Sequence, residues 1–134
     1  MNALLNVCLV AVGSALGGTL RYLVGVAVLH VVGTSFPWGT FSINVSGSLF
    51  LGWILTMLGE FWSFDPGQTM GKEQWRLLIA VGFTGGYTTF SSFEHETYSL
   101  FRDGMTWSAI FYVAGSVFVG LVAFRVGMLI AGGQ

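Results

Sequence analysis

Charge is scarce in this sequence. Asp, Glu, Lys and Arg together make 8% of the residues, against 54% hydrophobic ones, and the mean hydropathy is +0.75. So few charges cannot solvate the outside of a soluble domain, which leaves an integral membrane protein. Five basic residues against six acidic ones give a net charge of -1, and with no basic patch to neutralise phosphates a nucleic-acid partner is excluded. The single cysteine, Cys8, forms no intrachain disulfide and reads as a small packed residue. Also missing are a nucleophile with its base, a His/Cys metal-binding set and a phosphate loop followed by Lys, so the chain is not read as an enzyme. There is no low-complexity tract and no convincing internal repeat.

What the sequence has is length in its apolar runs. A helix crossing the hydrocarbon layer needs roughly 20 apolar residues, and four runs qualify, over about 3–32, 40–59, 74–100 and 106–130. The expectation is one all-α domain of four transmembrane helices with almost nothing outside the membrane. The first run is longer than the core of a signal peptide and Met1-Asn2-Ala3 has no basic residue before it, so the run is expected to be retained. Gly33 to Gly39, Asp65-Pro66-Gly67 and Arg102-Asp103-Gly104 carry turn chemistry between the runs, Gly104 being suited to a left-handed cap. Trp38, Trp62, Trp75 and Trp107 fall beside the predicted span ends, where indole rings favour the headgroup layer, while Trp53 lies within a span.

If the four helices alternate, one face holds Lys72, Arg76 and Arg125 and the other holds Arg102 and, nearer to it, Arg21. Orientation follows the excess of Lys and Arg in cytoplasmic loops, and a split this even carries little instruction. The chain can insert both ways up. Small residues at helical spacing, such as Gly13 with Gly17 and Ser116 with Gly120, let backbones approach closely. They serve packing within the chain or against a second copy.

The third run is interrupted by Gly82-Phe83-Thr84-Gly85-Gly86-Tyr87-Thr88-Thr89-Phe90-Ser91-Ser92-Phe93. Backbone groups released at membrane depth are tolerated only where they are buried in protein, face a water-filled cavity or hold an ion. Two outcomes are open: unwinding that frees carbonyls from Gly85 to Thr88 for a hard monovalent cation, or a kink closed by hydroxyls. Phe90 and Phe93, three apart, either pack or turn their electropositive ring edges to an anion. Asn44 in the second run, with Ser48 one turn on, lines a polar track or holds helices together; Tyr112 and Ser116 in the fourth repeat that spacing and both readings. Arg21 marks a pathway or snorkels to the interface, and Glu94, His95 and Glu96 face an aqueous vestibule or a partner chain.

Three ordered motifs give this chain a family resemblance. Gly13-Ser14-Ala15-Leu16-Gly17-Gly18-Thr19-Leu20-Arg21-Tyr22 resembles the GGxxGAxxRY pattern of the small bacterial fluoride channel family, Fluc or CrcB. The stretch from Gly39 through Asn44 and Gly47 to Gly52 is similar to its GTxxVNxxGxxxxG segment, and Gly82 to Phe93 fits GxxGGxTTFSTF. Ser14, Gly18, Ile43 and Ser92 stand where the pattern has Gly, Ala, Val and Thr, and Glu94 and His95 are more polar than the pattern after its second Phe.

The resemblance implies a fluoride-selective channel in the bacterial inner membrane, built as an antiparallel, dual-topology homodimer of four-helix subunits with a broken third helix. It also implies a structural Na⁺ held by the carbonyls of Gly85 and Thr88. Phe90, Phe93, Asn44, Tyr112, Ser116, Ser91 and Ser92 correspond to the fluoride pathway, and Arg21 and Glu96 to the vestibule. Against it stand a proton-coupled exporter of cationic drugs, in which Glu96 would have to replace a first-span carboxylate, and a non-transporting subunit of a larger membrane complex.

Overall fold

The computed structural model describes residues 3–61 and 70–132, without the side chains of Glu60 and Phe61. Among the described residues the fold is wholly helical, without strands. Three helices are long and apolar enough to cross a membrane: α1, Ala3–Val32; α2, Trp38–Thr56, extended by a π-helical turn Met57–Phe61; and α6, Thr106–Ile130. Between α2 and α6 the chain runs through a short α3, Lys72–Trp75, a π-helical stretch Arg76–Thr84, a single turn α4, Gly85–Tyr87, and then α5, Phe90–Arg102. The expected turn at Asp65-Pro66-Gly67, and Trp62, lie outside the described residues.

Local chemistry sets the helix ends. α1 stops at Gly33, whose φ of +82° is open to glycine without strain, and whose N–H bonds the Leu29 carbonyl at 3.0 Å. Pro37 then precedes α2, where it has no N–H to leave unbonded, and its carbonyl accepts from Phe41 at 3.1 Å. α5 ends at Gly104, φ +76°, with Met105 N–H reaching back to the Leu100 carbonyl at 2.8 Å. That tight reversal delivers the chain to α6 and stacks α5 against it.

Two glycine seams hold the bundle. α1 lies against the π-helical stretch and α4: a Cβ at Gly13 would strike the Leu78 carbonyl, one at Gly17 the Phe83 carbonyl, and one at Gly86 the Ser14 carbonyl at 2.6 Å. α2 lies against α6 in the same manner, Gly52 on the Phe124 carbonyl and Gly127 on the Leu49 carbonyl. These glycines are therefore spent on packing inside one chain, where backbone-to-backbone approach replaces the hydrophobic driving force that lipid does not supply. The outward faces of α1 and α6 carry exposed Leu4, Val7, Leu16, Phe118 and Leu121, the surface a lipid-facing helix needs. Aromatic rings fill the end of the bundle where α5 meets α6: Tyr112 is fully buried, in edge contact with Phe36 at 5.3 Å and beside Phe93 at 5.1 Å.

The seams make a direct prediction. Gly127→Val is expected to lower the thermal midpoint in detergent, at a cost of about 1–3 kcal/mol for overpacking. Gly120→Ala, whose methyl would lie 3.6 Å from the Ser48 hydroxyl, leaves it unchanged. Equal midpoints for the two variants would mean that α2 and α6 separate without loss.

Candidate functional site

The helical path between α3 and α5 is interrupted over two residues. Thr88 is extended, with φ -76° and ψ 160°, and Thr89 follows at φ -148° and ψ 121°. Thr89 then caps α5, its hydroxyl oxygen accepting from the Ser92 N–H at 3.3 Å while the hydroxyl donates to Ser92 Oγ at 3.0 Å. On the other side Thr88 bonds back to the Thr84 carbonyl through both its N–H, at 2.9 Å, and its hydroxyl, at 3.0 Å.

Side chains from α1 and α2 take over the backbone groups that the interruption releases. Asn44 grips Thr89 twice: Oδ1 accepts the Thr89 N–H at 2.9 Å and Nδ2 donates to the Thr89 carbonyl at 3.0 Å. In a continuous helix the Thr89 N–H would bond the Gly85 carbonyl, four residues back. Its diversion to Asn44 releases that carbonyl. Arg21 Nη1 donates to the Thr88 carbonyl at 3.2 Å. Nearby the Tyr87 and Ser46 hydroxyls are bonded at 2.9 Å, and the Tyr87 ring and the Thr88 methyl both press on Gly47, where no side chain intervenes.

Two cavities meet at this interruption. A groove of about 360 Å³ is lined by Asn44, Ser48, Gly85, Thr88, Phe90, Phe93 and Ser116. Phe90 is 69% exposed, its ring 5.9 Å from that of Phe93. Ser48 has already given its hydroxyl to the Asn44 carbonyl at 2.8 Å. Ser116 differs, because its Oγ is buried with no hydrogen-bond partner among the described residues. Such an atom costs roughly 1–3 kcal/mol unless something else comes to it.

The larger cavity, about 770 Å³, is lined by Arg21, Thr89, Ser92, His95, Glu96 and Asp103, among others. Thr89 borders both spaces. Both oxygens of Glu96 are occupied by hydroxyl donors, Thr40 at 2.8 Å and Tyr112 at 2.7 Å, a satisfied setting for a carboxylate beside an aromatic core. At the end of α5, the hydrogen bond from Arg102 holds the Asp103 carboxyl below its ordinary range.

The residues singled out from sequence are thus sorted into different places. Asn44, Gly85, Thr88, Phe90, Phe93 and Ser116 share the groove. Ser92 joins Arg21 and Glu96 on the larger cavity, Ser91 lies exposed on α5 and lines neither space, and Tyr112 is in the core with its hydroxyl on Glu96. Two residues were missed. Thr89 stood inside the quoted motif, and only the geometry of the interruption reveals its part; Thr40 sits four residues before Asn44, a helical spacing that places both on one side of α2.

Three long apolar helices packed around a polar, interrupted segment define a multi-pass integral membrane protein. The family described as CrcB-like protein, Camphor Resistance (CrcB), matches residues 8–128, and the chain belongs to that family. It is 45% identical over 123 residues to the fluoride-specific ion channel FluC of Solibacter usitatus, covering 92% of this chain and 95% of the relative. A protein of the same name from Acidobacterium capsulatum is 42% identical over 90% of this chain and 91% of its own length. The one from Caulobacter vibrioides is 40% identical over 98% and 96%.

Asn44→Ala removes both bonds to Thr89 and strands two backbone groups, an expected loss of about 2–4 kcal/mol. Hydrogen-exchange mass spectrometry of residues 85–93 should show faster exchange in this variant than in the parent chain. Unchanged exchange would mean that the interruption is held by other contacts.

Proposed function

We propose that this chain forms a fluoride-selective channel that lets fluoride leave the cytoplasm passively across the bacterial inner membrane. The observation that carries the reading is the unpartnered, buried Ser116 hydroxyl on a groove rimmed by Phe90 and Phe93. The names borne by its relatives, fluoride-specific ion channel FluC, support it. Fluoride is small and holds water tightly, so a pore must replace its hydration with converging donors. Here these are the Ser116 O–H, the second N–H of the Asn44 amide and the electropositive edges of the two phenyl rings. The apolar ring faces keep bulk water out. Hydrogen fluoride enters cells as a neutral acid and dissociates in the less acidic interior, so a passive exit for the anion relieves toxicity without ATP. No bond of a substrate is made or broken.

In this reading the 72–102 segment is a fourth span, broken at Thr88 and Thr89, and two copies pair in opposite orientations. The near-even distribution of Lys and Arg supports insertion both ways up. So does the open side of the groove: Gly85 has nothing within 4 Å of where a Cβ would stand, which leaves room for a second copy to close over it. A structural Na⁺ fits this place by its donor chemistry. The Gly85 carbonyl is released by the diversion of Thr89, Thr88 is extended three residues on, and backbone oxygens suit a hard monovalent cation. One chain offers two such oxygens and a symmetric pair offers four. A cation held there would offset the cost of an anion in a low-dielectric wall.

Purified protein in liposomes, followed with a fluoride electrode, tests the proposal. Fluoride efflux is expected to exceed chloride efflux by orders of magnitude, and Phe90→Ile, Phe93→Ile and Ser116→Ala should each slow it at least about tenfold, the effect of losing one well-placed contact. Comparable chloride flux, or full activity in all three variants, rejects it. Impermeant thiol labelling of cysteines placed singly in the 33–37 loop and at residues 71–72, on opposite faces of the four-span arrangement, should mark each from outside in part of the population. Labelling of one loop set alone rejects dual topology.

A further inference from the structure

Arg21 is the basic residue at the interruption, and it does not point simply into the larger cavity. Its guanidinium crosses from α1 to the Thr88 carbonyl, 3.2 Å away. That oxygen ends the first half of the broken helix, where the helix dipole is negative and a cation is welcome. It is also one of the two carbonyls that the reading above assigns to a resident cation. We infer that Arg21 sets how tightly the cradle holds that cation, because guanidinium and cation compete for the Thr88 oxygen.

The competition follows from charge and from available space. Two positive charges sharing one carbonyl lie only a few ångströms apart in surroundings where water screens poorly, so each weakens the other's hold. Gly85 cannot compensate alone, since it supplies a single oxygen per chain. Arg21 has somewhere else to go: it also lines the larger cavity, with Glu96 on the same wall, and it is only partly buried. A retreat of the side chain into that space gives the Thr88 carbonyl back to the cradle. The cation therefore binds against the cost of moving Arg21, and removing the charge at residue 21 removes that cost.

This inference rests on the proposed cation cradle, and its test separates the two. Thermal unfolding of the detergent-purified protein is followed against Na⁺ concentration, with N-methyl-D-glucamine holding ionic strength constant, for the parent chain and for Arg21→Met, Arg21→Gln and Arg21→Lys. The parent chain is expected to be stabilised by Na⁺ with saturation. Arg21→Met and Arg21→Gln should reach half-saturation at an Na⁺ concentration at least about tenfold lower, the effect of deleting a neighbouring like charge, and Arg21→Lys should stay near the parent. Glutamine keeps an N–H donor, so agreement between Met and Gln assigns the effect to charge rather than to a lost hydrogen bond, and either variant suffices if the other does not fold. An unchanged or higher Na⁺ requirement in the neutral variants overturns the inference while leaving the cradle standing. Absence of any Na⁺ dependence in the parent chain overturns both.

Discussion

Two hydrogen bonds from one amide shape the centre of this molecule. Asn44 offers Thr89 what a continuous helix would have offered it, an acceptor for its N–H and a donor for its carbonyl. An amide does both at once from two adjacent atoms, its oxygen accepting while its nitrogen donates. Apolar surroundings penalise unpaired backbone groups, so such an interruption is tolerated where a neighbouring helix supplies a substitute. Glycine on α2 makes the supply possible: at Gly47, one turn beyond Ile43, a Cβ would strike the Thr88 methyl and crowd the Tyr87 ring. The interruption in turn frees the Gly85 carbonyl, aims α5 and places Phe90 and Phe93 on the groove. Asn44 is accordingly a structural clamp and a groove wall in the same side chain.

The acidic side of the site follows a similar logic of full satisfaction. Glu96 is the carboxylate nearest the aromatic core, and it is tolerated because Thr40 and Tyr112 each donate to one of its oxygens. These bonds tie α5 to both α2 and α6, so the half-helix after the interruption is held at its middle as well as at its cap. Ser116 stands apart: among the described residues its Oγ is the one buried side-chain N or O atom left without a partner. In a structure that otherwise satisfies its polar groups, that exception gives the groove its chemical direction.

Much of this was legible from the residues. Uninterrupted apolar runs announce α1, α2 and α6, because lipid selects composition more strictly than a soluble core does. Asn44, Phe90, Phe93 and Ser116 drew notice as polar or paired residues in apolar surroundings, and they do share one cavity. Pairing partners were not legible. That Asn44 bonds Thr89 rather than Ser48, and that Tyr112 turns to Glu96 rather than to the groove, depends on how α2, α5 and α6 cross, which no spacing within a single helix encodes. The π-helical stretch Arg76–Thr84 was likewise invisible: its backbone bonds span five residues rather than four, and a wheel drawn at 3.6 residues per turn puts its side chains on the wrong faces. The glycines showed where backbones meet, but not that both seams close within one chain.

The position of Thr89 on the border of both cavities has an electrical consequence. When water fills the larger cavity, it carries the potential of the bulk solution inward, and the voltage across the membrane then falls over the dry material that remains rather than over the full hydrocarbon thickness. Moving one elementary charge through the whole drop is worth about 2.3 kcal/mol per 100 mV. The share of that work borne by the material around Thr89 grows as the water-filled cavity takes up more of the membrane's thickness. Under the channel reading, an anion in the groove would sit inside that narrowed drop, where the field is steeper than its average across the bilayer.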